Sequence, residues 1–234
     1  MNDSSKSIAM FRKERNKLLW LLIAFTFQTI SLGAQTVSKG KSILSVYAGP
    51  SHYMGKLIGI TDNSDEYRDD LRNGFTWSAS YSYVANASSS NPLKFLPGII
   101  YQGTRYKHSA AESSDKIMMN YIAPQLGLCY FKPHYILSLA GGIGYQFYSD
   151  KSTVFGKPRD VSMDKVAWNL AASGEYLFTA KWGVSAKVNW IVTSSDSYSV
   201  KYNWKKWQVE DPRLSGGGGS LSQLSLLIGL NYHF

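Results

Sequence analysis

From Leu224 to Phe234 the chain changes character at almost every residue. Leu224, Leu226, Ile228, Leu230, Tyr232 and Phe234 alternate with Ser225, Leu227, Gly229, Asn231 and His233. Successive side chains of a strand point to opposite faces, so this period of two predicts a strand with one apolar face and one small or polar face. The same pattern recurs along the chain. Phe75 to Tyr83 alternates with Thr76, Ser78, Ser80 and Ser82, and Ile122 to Tyr130 alternates with Ala123, Gln125, Gly127 and Cys129. Tyr135 to Phe147, Val166 to Phe178 and Val184 to Val192 behave likewise. Leu44-Val46-Ala48 and Phe95-Pro97-Ile99-Tyr101 are weaker cases, and the Ile99-Ile100 doublet allows a bulge. No run in 35–234 has the length or periodicity of a membrane-spanning helix.

A soluble strand and a lipid-facing strand can share this alternation. Two features separate them here. The polar faces are rich in Gly, Ala and Ser, which suits the crowded interior of a narrow barrel. Aromatics stand at the ends of the apolar stripes, as in Phe75 and Tyr83, Tyr135 and Phe147, Trp168 and Phe178, and Tyr232 and Phe234, where interfacial girdles belong. The connections alternate between short (86–92, 131–134, 179–183) and longer (51–74, 107–116, 149–163, 194–220). That rhythm places short turns in the periplasm and long loops outside. The reading is all-β: a transmembrane antiparallel up-and-down β-barrel of eight strands. Ten is the alternative count, with the first long loop and Tyr198–Lys205 supplying the extra pair.

The N-terminus carries a different signal. A basic stretch over 6–17 precedes the apolar run 18–27 and the small-residue exit Ser31-Leu32-Gly33-Ala34. This has the form of a secretory signal peptide with cleavage after Gly33 or Ala34. The expected organisation is therefore a leader at 1–34 and an outer-membrane barrel at 35–234. The leader accounts for part of the formal charge of +9: it holds five basic and two acidic groups, leaving 20 basic and 14 acidic residues in the remainder. That excess suits anionic lipopolysaccharide, and no basic cluster has nucleic-acid motif spacing. Cys129 is the only cysteine, so no disulfide can form within the chain.

The chain resembles the Bacteroidota group of outer-membrane β-barrel domains that includes PorT-like proteins, and more distantly the OmpA/OmpX type of eight-stranded barrel. The residues that carry the resemblance are the leader ending Ala34-Gln35, the segment Tyr121-Ile122-Ala123-Pro124-Gln125-Leu126-Gly127, Gly141-Gly142-Ile143-Gly144-Tyr145, and the terminal Phe234. The resemblance implies fold and location rather than an activity. It also implies that the terminal stripe Leu230, Tyr232, Phe234 serves as the signal read by the barrel assembly machinery.

Candidate chemistry is sparse. His52, His108, His134 and His233 show no metal-site spacing, and no cofactor is expected. Ser51-His52 and His108-Ser109, with Asp62, Asp65 and Glu112 nearby, are the residues a lipid A-modifying enzyme would use, because a nucleophile needs a base within hydrogen-bond reach. The expected role is instead non-enzymatic, structural or binding, in the cell envelope among outer-membrane lipid and lipopolysaccharide. An accessory place in an envelope or secretion complex, with protein partners, is the alternative. Tyr198, Tyr202, Trp204, Lys205, Lys206 and Trp207 form a candidate surface binding loop, since aromatics interleaved with Lys can stack on sugars and pair with phosphates. Ser215–Ser220 has the form of a flexible linker. Inside the barrel, Glu175 and Lys187 are the clearest opposite charges on neighbouring strands. A three-residue loop at 180–182 would set them directly opposite, and a left-handed Gly183 would set them diagonally. The expected result is an interior plug, joined by Lys94.

Overall fold

The computed structural model describes residues 41–234, except 56, 58–59, 62–63, 86–90, 110–112, 155, 194–196, 204 and 211–220. The leader, Asp62, Glu112, Trp204 and the stretch 215–220 lie outside the described residues. The described residues form ten strands and one short helix: β1 Ser42–Tyr53, α1 Asp65–Leu71, β2 Asn73–Tyr83, β3 Leu93–Ser109, β4 Ser113–Phe131, β5 Tyr135–Val154, β6 Lys157–Leu177, β7 Trp182–Thr193, β8 Ser197–Tyr202, β9 Lys205–Glu210 and β10 Gln223–His233.

Eight of the strands close on themselves. Each of β1 to β6 pairs antiparallel with the next, β7 pairs with β10, and β10 returns to β1. Closure leaves no unpaired strand edge in the ring, the condition for sheet structure in lipid. The last residue takes part: Ser42 N–H donates to the Phe234 carbonyl and Phe234 N–H to the Ser42 carbonyl, each at 3.0 Å. The eight-strand count therefore holds. Tyr198–Lys205 does contribute strand, but as the hairpin β8–β9. This ribbon pairs with the outer part of β6 through Arg159–Ser162 and lies outside the ring. The first long loop contributes α1 and no strand among the described residues.

The apolar stripes face outward along all eight strands. Leu126, Ile143 and Ile228 are 62%, 68% and 70% exposed, whereas Ser45, Thr76, Gln102, Asn169, Asn189 and Ser225 are buried inside. A soluble protein does not leave so large an apolar band in water, so the band marks the lipid-facing surface. Aromatic rings border it. Tyr232 stacks on Phe234 and tilts against Trp182 toward one end, and Tyr145 stacks on Phe147 toward the other.

Three expectations about local structure change. The Ile99-Ile100 doublet is not a bulge: pairing runs unbroken through it to Tyr81 and Ser80 on one side and Pro124 and Ala123 on the other. Ile99 simply faces lipid while Ile100 is buried in the lumen. The connections 107–116 and 149–163 are mostly not loops. β3–β4 and β5–β6 continue as paired ribbons to Ser109↔Ser114 and Val154↔Lys157, with Gly156 at φ 72° in the latter turn. Above the membrane both faces of a strand can be polar, so the alternation that marks the lipid zone fades while the hydrogen bonds continue. Finally, the β6–β7 turn spans 178–181, with Leu177 opposite Gly183 in the register. Gly183 is in the strand and not left-handed.

Candidate functional site

The interior is filled in layers. At the end of the barrel that carries the short turns, Ile43, Val84, Leu96, Cys129, Ile136 and Leu177 cluster as an apolar plug. Buried with it are Lys94, opposite Cys129, Glu175, opposite Ile136, and Lys187 on β7. Glu175 and Lys187 share the wall of a cavity of about 60 Å³ with Tyr47 and Asn231. The structure does not pair them with each other. Ser185 sits opposite Glu175, and Ser173 opposite Lys187. The longer turn slips the register by two relative to the three-residue expectation. Glu175 instead accepts a 2.6 Å hydrogen bond from Nε2 of His233 on the closing strand. The Lys187 ammonium lies 4.7 Å from the centroid of the Tyr47 ring, a cation–π arrangement. The Tyr47 hydroxyl in turn donates to Asn231 Oδ1 at 3.2 Å.

A polar chain crosses the middle of the lumen. The Tyr121 hydroxyl donates to Asn169 Oδ1, Asn169 Nδ2 to Asn189 Oδ1, Asn189 Nδ2 to Gln102 Oε1, and Gln102 Nε2 to Ser225 Oγ, at 3.0, 2.9, 2.8 and 3.2 Å. Buried amides need such partners, because each unpaired one costs about 1–3 kcal/mol. This chain links β4, β6, β7, β3 and β10 across a space that water would otherwise occupy.

The outer mouth is covered from above. Tyr67 and Leu71 of α1 pack with Tyr53, Tyr106, Met119, Tyr148, Met163, Val200 and Leu221, so the first loop and the β8–β9 ribbon both contribute to the cap. Asp115 anchors the first loop: its Oδ2 accepts from Thr61 N–H, Thr61 Oγ1 and Tyr67 Oη at 2.9, 2.7 and 2.8 Å. Arg159 lies 3.4 Å from Asp115 and 3.7 Å from Asp150. This group stands above the outer girdle, three residues beyond Phe147 on β5. Burial first, and then the neighbouring Asp115 carboxylate, push the Asp150 carboxyl up to about 8.

Among the described residues, those considered for catalysis do not assemble. Ser51 points into the lumen, bonded to Tyr106 Oη and Ser225 Oγ. His52, on the opposite face, bonds Asn73. His108 pairs with Asp70 at 3.3 Å and packs edge-on against Tyr67. No group of three or more His, Cys, Asp or Glu side chains that could hold a metal ion occurs among the described residues. The surface loop residues stand on the ribbon: Tyr202 opposite Lys205, Lys201 opposite Lys206, Val200 opposite Trp207. Tyr198 packs toward the cap, while Lys205, Lys206 and Trp207 are exposed. In the terminal stripe, Leu230 and Phe234 face lipid and Tyr232 is half-buried between aromatic neighbours.

Sequence reasoning missed His233 as the partner of Glu175. Its odd number on β10 places it on the lumen face with Ser225 and Asn231, and that parity was the available signal. Nothing in the sequence pointed to the Asp115–Asp150–Arg159 group, which depends on the register of three strands.

No family model matches the chain, and no curated protein matches it. Solved structures do. A major outer membrane protein from Thermus thermophilus aligns with TM-score 0.51 and 13% identity over 82% of this chain and 99% of that one. Neisserial surface protein A aligns with TM-score 0.48 and 12% identity over 83% and 97%. Ail of Yersinia pestis gives 0.48 and 16% over 83% and 99%. At these identities the likeness is one of fold. The fold is that of an eight-stranded barrel of the bacterial outer membrane.

Proposed function

We propose that this barrel has a non-enzymatic binding role at the cell surface, carried by strand ribbons raised above the membrane. One observation supports the reading most. The ring encloses a lumen filled by side chains from plug to cap, and the built, exposed parts are the β3–β4, β5–β6 and β8–β9 ribbons. An eight-stranded ring has room for side chains and little else. The β8–β9 ribbon adds the right surface chemistry, with Trp207, Lys205 and Lys206 exposed.

Removing residues 197–210 tests the proposal. The shortened barrel should still insert and migrate anomalously when unboiled. Cross-linking in native membranes should then lose the species captured by the full chain. Identical capture by both forms would remove the ribbon from the role. Lipid A mass spectra unaltered by loss of the gene are the expected outcome; an altered acyl or phosphate pattern would favour the enzyme instead.

A second reading is favoured by one feature. Among the described residues β9 is the end strand of the sheet order, and an edge of that kind can take an added strand. The accessory-subunit role, in keeping with the PorT-like resemblance, would use that edge to join a larger envelope complex. In that case the cross-linked species would be one stoichiometric protein.

A further inference from the structure

The register aligns six exposed side chains in one transverse rung. Lys107 of β3 lies opposite Lys116 of β4, Lys116 opposite Lys151 of β5, Lys151 opposite Asp160 of β6, Asp160 opposite Lys201 of β8, and Lys201 opposite Lys206 of β9. All six are exposed. They share the outward face whose continuation toward the membrane is the lipid-facing stripe. On β5 the rung lies four residues past Phe147, about 13 Å further along the strand. The next rung toward the membrane reads Arg105, Met118, Ser149, Ser162, Ser199 and Gln208 on the same six strands, adding a sixth cation. The acids on this face of β6 are Asp160 and Asp164.

Like charges directly opposite on neighbouring strands repel and destabilise the sheet. Here Lys107, Lys116 and Lys151 stand side by side on three consecutive strands, and Lys201 faces Lys206. Among the described residues, Lys107, Lys116, Lys151 and Lys206 take part in no ion pair. Such a row gains from an external polyanion that spans several strands. Each ammonium offers three donors, and the strand spacing of about 4.8 Å sets them at intervals that one phosphorylated disaccharide can bridge.

We infer that this rung docks the phosphorylated saccharide headgroup of an outer-leaflet glycolipid. The position selects the source. Side-wall lysines just above the girdle face molecules standing in the leaflet, whereas a soluble polymer would meet the ribbon tips first. The inference deepens the binding role proposed above by naming a ligand class. It rests on that role, but its decisive lysines, on β3 to β5, are untouched by removal of 197–210, so the two can fail separately.

The test uses the full barrel in phosphatidylcholine nanodiscs with and without bisphosphorylated lipid A. Two variants are compared with the parent: Lys107→Gln/Lys116→Gln/Lys151→Gln, and the same with Lys201→Gln/Lys206→Gln. Lys157→Gln/Lys181→Gln, exposed but off the rung, is the control. Heat-modifiable migration checks that each variant folds. The triple variant should lose at least about tenfold in lipid A affinity, since each cation near an anionic surface adds to its attraction, and the control less than about twofold. In phosphatidylcholine alone the triple variant should unfold at the same or a higher urea concentration than the parent, because repulsion has been removed. Unchanged lipid A affinity in both variants would overturn the inference. So would equal binding of dephosphorylated lipid A. Lysine-dependent binding of soluble polyphosphate as tight as that of lipid A would overturn the membrane source.

Discussion

Glu175 shows how one side chain's position depends on its neighbours having none. A Cβ on Gly183 would lie 2.0 Å from Glu175 Oε1, the atom bonded to His233. Gly183→Ala should therefore push the carboxylate aside and break a buried hydrogen bond. The expected cost is about 1–3 kcal/mol, read as a lower urea midpoint. A double-mutant cycle should give a larger coupling for Glu175 with His233 than for Glu175 with Lys187. The charges and the lumen face of His233 were legible from parity, but the pairing was not: whether Glu175 meets Lys187 depends on the length of the 178–181 turn, which no residue there dictates. Asp150 makes a pH-dependent case. Its carboxyl is raised in the folded state, to about 8, against about 3.9 in an unfolded chain. Between those values the unfolded state holds fewer protons than the folded one, so stability falls as pH rises through that window. Unfolding by urea should be hardest near pH 4 and easier near pH 9. Asp150→Asn should flatten that slope, and an unchanged slope would reassign it to other groups.

At the scale of elements, the sequence was most legible where lipid imposes a two-faced pattern. All eight ring strands announce themselves through stripes such as Leu224–Phe234 and Tyr135–Phe147. Where the strands leave the membrane, Lys107–Lys116 and Ser149–Met163 lose that contrast, and continued pairing replaces it as the organising force. The β8–β9 ribbon is intermediate: Tyr198, Val200 and Tyr202 keep the parity of a strand, and Val200 is buried under the cap. Because, among the described residues, the ribbon pairs with the ring only at the outer end of β6, excision of 197–210 should leave the ring closed. The loss should be confined to cap packing, about 1.5–3 kcal/mol for a side chain such as Val200. A form that no longer shows heat-modifiable migration would mean that the ribbon is part of the ring's own assembly.

The whole molecule is a ring whose first and last strands are neighbours, with Ser42 and Phe234 bonded to each other. We expect the terminal Leu230–Tyr232–Phe234 stripe to direct insertion, so that deleting Phe234 lowers the amount of barrel in membranes; normal insertion of the truncated chain would argue against this. The closure also makes a sharper experiment available. A circular permutant could join residue 234 to residue 42 by a few flexible residues and open new ends in the 132–134 turn. The permutant keeps every rung of the ring but no longer presents Phe234 as a free carboxyl-terminal residue. It should refold by itself in detergent micelles, because the finished ring is the same whichever link is broken. In cells it should accumulate uninserted, if the machinery reads a chain end and not a surface. The contact that seals the cylinder thus separates two properties that ordinary truncation confounds: the stability of the finished object and the address by which it is delivered.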